Sequence, residues 1–204
     1  MSIPVHLAIE DLLSETVLRR LLDHADRGYS VGQAYGRSGF GYLRGTIKNW
    51  NRAAISVPFV VLTDLDDAAC PAALIEDWLT EPIHPNLLLR VAVREVEAWI
   101  LAARSSFAQY LRVAEKWVPS DPDGLRDPKS ALVAVAGRSR SKEIRDRIVP
   151  QSGSTAKQGR EYNACLGEFV AGNWDIKDAA AHSPSLRRTV ARLHSFKPVW
   201  RAGG

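Results

Sequence analysis

Three acids fall within four residues at the end of an apolar run, Val57-Pro58-Phe59-Val60-Val61-Leu62-Thr63-Asp64-Leu65-Asp66-Asp67. Asp64 and Asp66, two apart on an extended chain, project to the same side, because strand side chains alternate. Like charges held that close repel, and a divalent cation between them removes the repulsion. Hard oxygen ligands favour Mg2+ or Mn2+ over zinc. The plainer alternative is a solvated turn with helix-capping aspartates. Glu10 ends another apolar run, and Glu95 and Glu97 follow a third. Magnesium typically takes one or two carboxylates, waters and phosphate oxygens. The chemistry this suggests is metal-assisted work on a phosphate, with ligands drawn from Glu10, Asp64, Asp66, Glu95 and Glu97.

Acids so far apart in sequence converge only if a sheet gathers them. The pattern predicts strands at 3–9, 29–35, 57–63 and 87–93. Helices are expected after Ser14, which can cap one, and at 42–54, 71–79 and 95–111. Strands alternating with helices give a four-stranded parallel, Rossmann-like sheet with helices on both faces and right-handed crossovers. All carboxyl ends of such a sheet lie at one rim, where ligands bind in open α/β folds. Beyond residue 112 the texture changes: 119–128 is loop-like, no strong strand follows, and short helices are expected at 129–136, 141–148, 161–171 and 185–194. The domains expected are therefore an α/β domain at 1–112 and a mainly helical, basic extension packed on it at 113–204.

The chain has 204 residues, 46% hydrophobic and 25% charged, an ordinary globular balance that can bury a core without staples. No apolar run is long enough to cross a bilayer, so no membrane association is expected. The N-terminus has no signal-peptide pattern. Cys70 and Cys165 are far apart and match no metal spacing, which suits a reduced cytoplasm. The net charge of +4 is uneven: residues 1–100 hold nine Lys/Arg and thirteen Asp/Glu, a balance of −4, and the remainder stands at +8. A basic half of this kind suits a polyanion such as DNA or RNA, or serves only solubility. Oligomeric state is not legible.

Lys129, after Asp127-Pro128, can meet a phosphate as a point charge or be a solvated helix lysine. Arg160 flanks the polar loop Gln151-Ser152-Gly153-Ser154-Thr155-Ala156-Lys157-Gln158-Gly159. Arg37 and Arg44, around Gly36-x-x-Gly39-x-Gly41, can contact a nucleic-acid backbone. That glycine run lacks the Walker ending and the dinucleotide spacing, so nucleotide hydrolysis is not expected from it. The five histidines show no zinc spacing, and His6 should be packed or hydrogen-bonded within the first strand. The six tryptophans are expected in the core and interfaces rather than as a base-stacking platform.

A glutamate after the first strand, Asp-x-Asp after the third and the βαβαβαβ order resemble the TOPRIM domain of topoisomerases, primases, recombination proteins and OLD-type nucleases. That resemblance covers about residues 3–100. It implies metal binding by Glu10, Asp64 and Asp66, with Glu10 alternatively a general acid or base. Glu97, or less readily Glu95, resembles the extra acid of OLD-type nucleases, and Lys157 their late catalytic lysine. Val61-Leu62-Thr63-Asp64-Leu65-Asp66, Arg90-Val91-Ala92-Val93-Arg94-Glu95-Val96-Glu97-Ala98-Trp99, Asp127-Pro128-Lys129, Glu161-Tyr162-Asn163 and Ser183-Pro184-Ser185-Leu186 are similar to a bacterial family of small stand-alone TOPRIM-like proteins without a settled activity. Its members often stand beside ATPase genes in defence-type loci, which implies an ATPase partner. Many carry Glu-Gly-x-x-Glu after strand one, where this chain has Glu10-Asp11-Leu12-Leu13-Ser14-Glu15, so no role carries over to Glu15. Two function classes follow: a metal-dependent nuclease or phosphodiesterase, and a catalytically weak module for binding or regulation.

Overall fold

The computed structural model describes residues 2–36 and 38–200; Arg37, an expected nucleic-acid contact, lies outside them. Contacts divide the chain into two compact units, 1–93 with 188–204, and 94–187. The first holds a four-stranded, all-parallel sheet of β1 (Ile3–Ile9), β2 (Tyr29–Gly36), β3 (Phe59–Asp64) and β4 (Leu87–Ala92), in the order β2-β1-β3-β4. Helices α1 (Leu12–His24), α2 (Phe40–Ala53) and α3 (Pro71–Trp78) connect them, which makes the fold α/β as the sequence pattern predicts.

β3 is an unbroken apolar run because it pairs with parallel strands on both edges and is covered on both faces. Phe59 and Val61 join Leu43, Ile47 and Trp50 of α2 and Leu74 and Trp78 of α3 in one core cluster that includes no α1 residue. The intervening Val60 and Leu62 are fully buried and belong to the opposite face. α1 packs on β1, β2 and β3 through Leu13, Val17, Leu18 and Leu21. Right-handed crossovers require this division, because the path from β1 to β2 and the path from β2 to β3 run in opposite directions across the sheet. The order therefore reverses between β1 and β3, and ligands in open α/β sheets bind at such a switch point.

Ser14 does not cap α1. Asp11 does, its Oδ1 accepting the Ser14 N–H at 2.8 Å; a carboxylate three residues upstream is the better acceptor for that helix-start amide. Residues 193–199 are tied into this unit. α10 (Pro184–Ser195) presents the Leu193 carbonyl to the Tyr29 hydroxyl at 2.6 Å, and Arg27 donates to the carbonyls of His194 and Phe196. Fully buried Asn86 donates to the carbonyls of Ala54 and Val199 and accepts the Val199 N–H.

The second unit is helical: α4 (Val96–Ala102), α5 (Arg104–Leu111), a 3-10 turn (Glu115–Trp117), α6 (Pro128–Ala136), α7 (Lys142–Ile148), α8 (Tyr162–Gly172) and α9 (Ile176–His182). The single helix expected at 95–111 is two, broken where Ala103 leaves helical geometry at φ −79°, ψ 60°. Every residue of α4 is buried, as an apolar helix at the centre of a bundle must be, with α5, α6 and α9 against it. Trp99 donates to Ser185 Oγ at 2.7 Å, and its carbonyl accepts Trp174 Nε1. Asp127, Ser141 and Asp175 cap α6, α7 and α9. α9 was not expected from the sequence. The tryptophans divide: Trp50, Trp78, Trp99 and Trp174 are core residues, whereas Trp117 and Trp200 are exposed. No helix among the described residues is long and apolar enough to cross a membrane, and both cysteines are free thiols.

Candidate functional site

The parallel register brings Glu10, Thr63 and Asp64 together: Ile9 pairs with Leu62, so the next residue of β1's chain lies beside the end of β3. Glu10 Oε1 accepts the Thr63 hydroxyl at 2.5 Å and the Asp64 N–H at 2.9 Å. Burial raises the proton affinity of Glu10; these two hydrogen bonds oppose the rise, and the like charges of Asp66 and Asp11 add to it. The acidic turn is held from below. Leu65 is buried, its N–H donates to the Ala92 carbonyl at 2.9 Å, and its carbonyl accepts the Ala68 N–H. Asp66 adopts a left-handed backbone, φ 47°, a region that Asp and Asn tolerate better than most residues. Three of the sequence-derived acids thus share one edge of the first unit, with Glu10 and Asp66 close enough to feel each other's charge.

The glycine run has a structural reason. A Cβ on Gly36 would lie 2.0 Å from the Ile9 carbonyl oxygen, and Gly36 has φ +110°. The Gly39 N–H closes on the Glu10 carbonyl at 3.1 Å, and α2 then starts from Gly39 without a side-chain cap. Close backbone approach sets Glu10 beside an uncapped helix N-terminus, a place that favours anions. Arg44, on α2, is ion-paired with Asp77 at 2.9 Å on the surface.

In the second unit Glu97 is buried, 2% exposed. Its Oε1 accepts the Tyr162 hydroxyl at 3.0 Å and lies 3.4 Å from Lys129 Nζ, while Oε2 is buried with no hydrogen-bond partner. Burial pushes the Glu97 carboxyl up to about 7; Lys129 opposes this and the nearby charge of Glu95 reinforces it. Glu95 Oε2 accepts the Lys129 N–H at 2.9 Å, serving the start of α6. Asp127 is held below the ordinary carboxylate range, first by its hydrogen bonds from Ser130 and further by Lys157 and Lys129. Arg160 lines a hollow of about 220 Å³ with Asp146, Gln151, Ser154 and Glu161.

Thr63 and Tyr162 are the hydrogen-bond partners of these acids that residue-by-residue reasoning missed. Strand alternation was the available signal for Thr63; Tyr162 had none beyond its place in Glu161-Tyr162-Asn163. Among the described residues, no group of three or more His, Cys, Asp and Glu is arranged to hold a metal ion. The donor chemistry of Glu10 and Asp66, two mutually repelling carboxylates at the switch point, nevertheless fits magnesium, which needs only one or two protein carboxylates. No protein-family model, curated protein or solved structure matches this chain.

Proposed function

We propose that this chain is a TOPRIM-like, Mg2+- or Mn2+-dependent nuclease or phosphodiesterase acting on nucleic acid. The observation that carries the proposal is the half-buried Glu10 carboxylate under the like charge of Asp66, beside Asp64, at the β1/β3 switch point. Glu10, Asp64 and Asp66 would hold the ion. Bound there, it would supply a nucleophilic water near neutral pH and charge neutralisation on the phosphate. Thr63 and the Asp64 N–H fix the Glu10 carboxylate through Oε1. Alternatively, with the ion held by Asp64 and Asp66, the raised proton affinity of Glu10 suits it to hold and return a proton during departure of the leaving oxygen. The uncapped start of α2 offers amides to a phosphate oxygen. Two free thiols fit a cytoplasmic setting.

Manganese titration by calorimetry tests the metal, using wild type, Glu10→Gln, Asp64→Asn and Asp66→Asn. Asn tolerates the left-handed backbone at 66, so that variant removes charge alone. Loss of binding in the variants is expected; unchanged affinity in all three would remove the proposal. Incubation with manganese and labelled single-stranded DNA, duplex DNA or RNA tests the reaction. A chain that binds manganese yet cuts nothing, alone or with an ATPase partner, is instead the binding or regulatory module.

A further inference from the structure

We infer that the surface around Trp117 in the second unit binds single-stranded nucleic acid, its indole taking a base and its surrounding cations the phosphates. The inference rests on the nucleic-acid half of the proposed function and is independent of the metal.

Trp117 ends the 3-10 turn Glu115–Trp117, none of whose residues is buried, and is 45% exposed. An exposed indole forgoes the burial that Trp78 and Trp99 obtain. Cations collect around it. The Arg138 guanidinium carbon lies 4.0 Å from the ring centroid and Lys116 Nζ lies 5.4 Å away, both within cation–π range. Arg112, Val113 and Ala114, which lead into the turn, and Arg140, two residues after Arg138, line an open hollow of about 520 Å³. Among the described residues, no carboxylate is ion-paired with Arg112, Lys116, Arg138 or Arg140; the neighbouring Glu115 faces Arg104 instead, at 3.6 Å.

The backbone under these side chains is held in place. Arg112 takes a left-handed conformation, φ 55°, at the end of α5, with its N–H on the Ala108 and Gln109 carbonyls. Ser139, 3% exposed, has its carbonyl bound by Arg145 and its hydroxyl accepting the Ser141 N–H at 3.0 Å. Four cations without counter-charge repel one another, and a polyanion relieves that repulsion. An acidic peptide would satisfy the charges but offers the indole no flat face to stack on. A single strand satisfies both, because its bases are free to stack and its backbone tracks a basic groove. In a duplex the base faces are already stacked on one another.

The test is fluorescence anisotropy with labelled oligonucleotides of about 10 nucleotides, within the usual site size, in EDTA at 50–200 mM salt. Single strands should bind more tightly than the matching hairpin duplex. Trp117→Ala should weaken single-strand binding by roughly 5- to 150-fold, the size of one stacked base, and leave inorganic polyphosphate binding unchanged. Trp117→Phe keeps an aromatic face and should restore most of the affinity, which separates stacking from damage to the turn. Arg112→Gln with Arg140→Gln should weaken both ligands and reduce the salt slope by about 1.4, two single-strand phosphate contacts' worth. EDTA removes any divalent ion from the assay, so a failure of the metal site cannot imitate a failure here. Equal binding of duplex and single strand, equal affinity in Trp117→Ala, or no binding at 50 mM salt would each overturn the inference.

Discussion

Replacing Glu97 by Gln should change how stability responds to pH, and the change follows from one buried carboxyl. Glu97 is pushed up to about 7 from an ordinary 4.5 by burial, in spite of Lys129. Moving a carboxyl that far corresponds to about 3 kcal/mol, at roughly 1.4 kcal/mol per pH unit. Its side chain is only 3% exposed, so solvent does not screen this away. The folded chain keeps a proton that the unfolded chain has released between pH 4.5 and 7. Stability therefore falls as pH rises through that window and is level on either side of it with respect to this group.

Gln at 97 is nearly isosteric, can still accept the Tyr162 hydroxyl, and has no charge to bury. Lys129, whose side chain is 32% exposed, can return to water. Wild type and Glu97→Gln should thus be similar near pH 4.5, and the variant should be more stable by about 3 kcal/mol at pH 8. Urea unfolding of both proteins in EDTA at half-unit pH steps, followed by tryptophan fluorescence, measures the difference. Glu10 titrates in both, so subtracting the curves leaves Glu97 together with the charges it interacts with, Lys129 and Glu95. Parallel curves, or a variant less stable at pH 8, would refute the reasoning: the Lys129 pair would then outweigh burial and Glu97 would be an ordinary ionised partner.

Gly36→Ala should lose about 2 kcal/mol or more, since a Cβ would strike the Ile9 carbonyl 2.0 Å away at φ +110°; a fallen urea midpoint checks it. Thr63→Val removes the hydroxyl donor to Glu10 and should cost about 1–3 kcal/mol while raising the Glu10 proton affinity further, read from carboxyl carbon shifts against pH. Asn86→Ala leaves the Ala54 and Val199 backbone groups without their partner and should cost about 2–4 kcal/mol, with faster amide exchange at Val199.

What was legible in the chain follows its periodicities. β3 could be read because a strand between two parallel neighbours must be apolar throughout, and the acids after it because ionisable residues are excluded until the strand emerges. Glu10 was legible for the same reason at the end of β1. The break at Ala103 was not: alanine is the best helix former, and no glycine or proline marks the place, although the Ser106 hydroxyl donates to the Ala103 carbonyl there. Ser14 looked like a cap because its type fits, yet the preceding Asp11 had equal claim, and propensity does not rank two good acceptors three residues apart. Tyr162 and Lys129 meet Glu97 across 65 and 32 positions, a juxtaposition made by helix packing that no spacing rule encodes. The same holds for Trp117. Its composition reads as core, and only the placement of Lys116 and Arg138 against its ring turns an apolar residue into a surface with a chemical preference. Side chains delivered by strand ends can be inferred from sequence, because the sheet converts order into place; side chains delivered by helix packing become visible only once the packing is known.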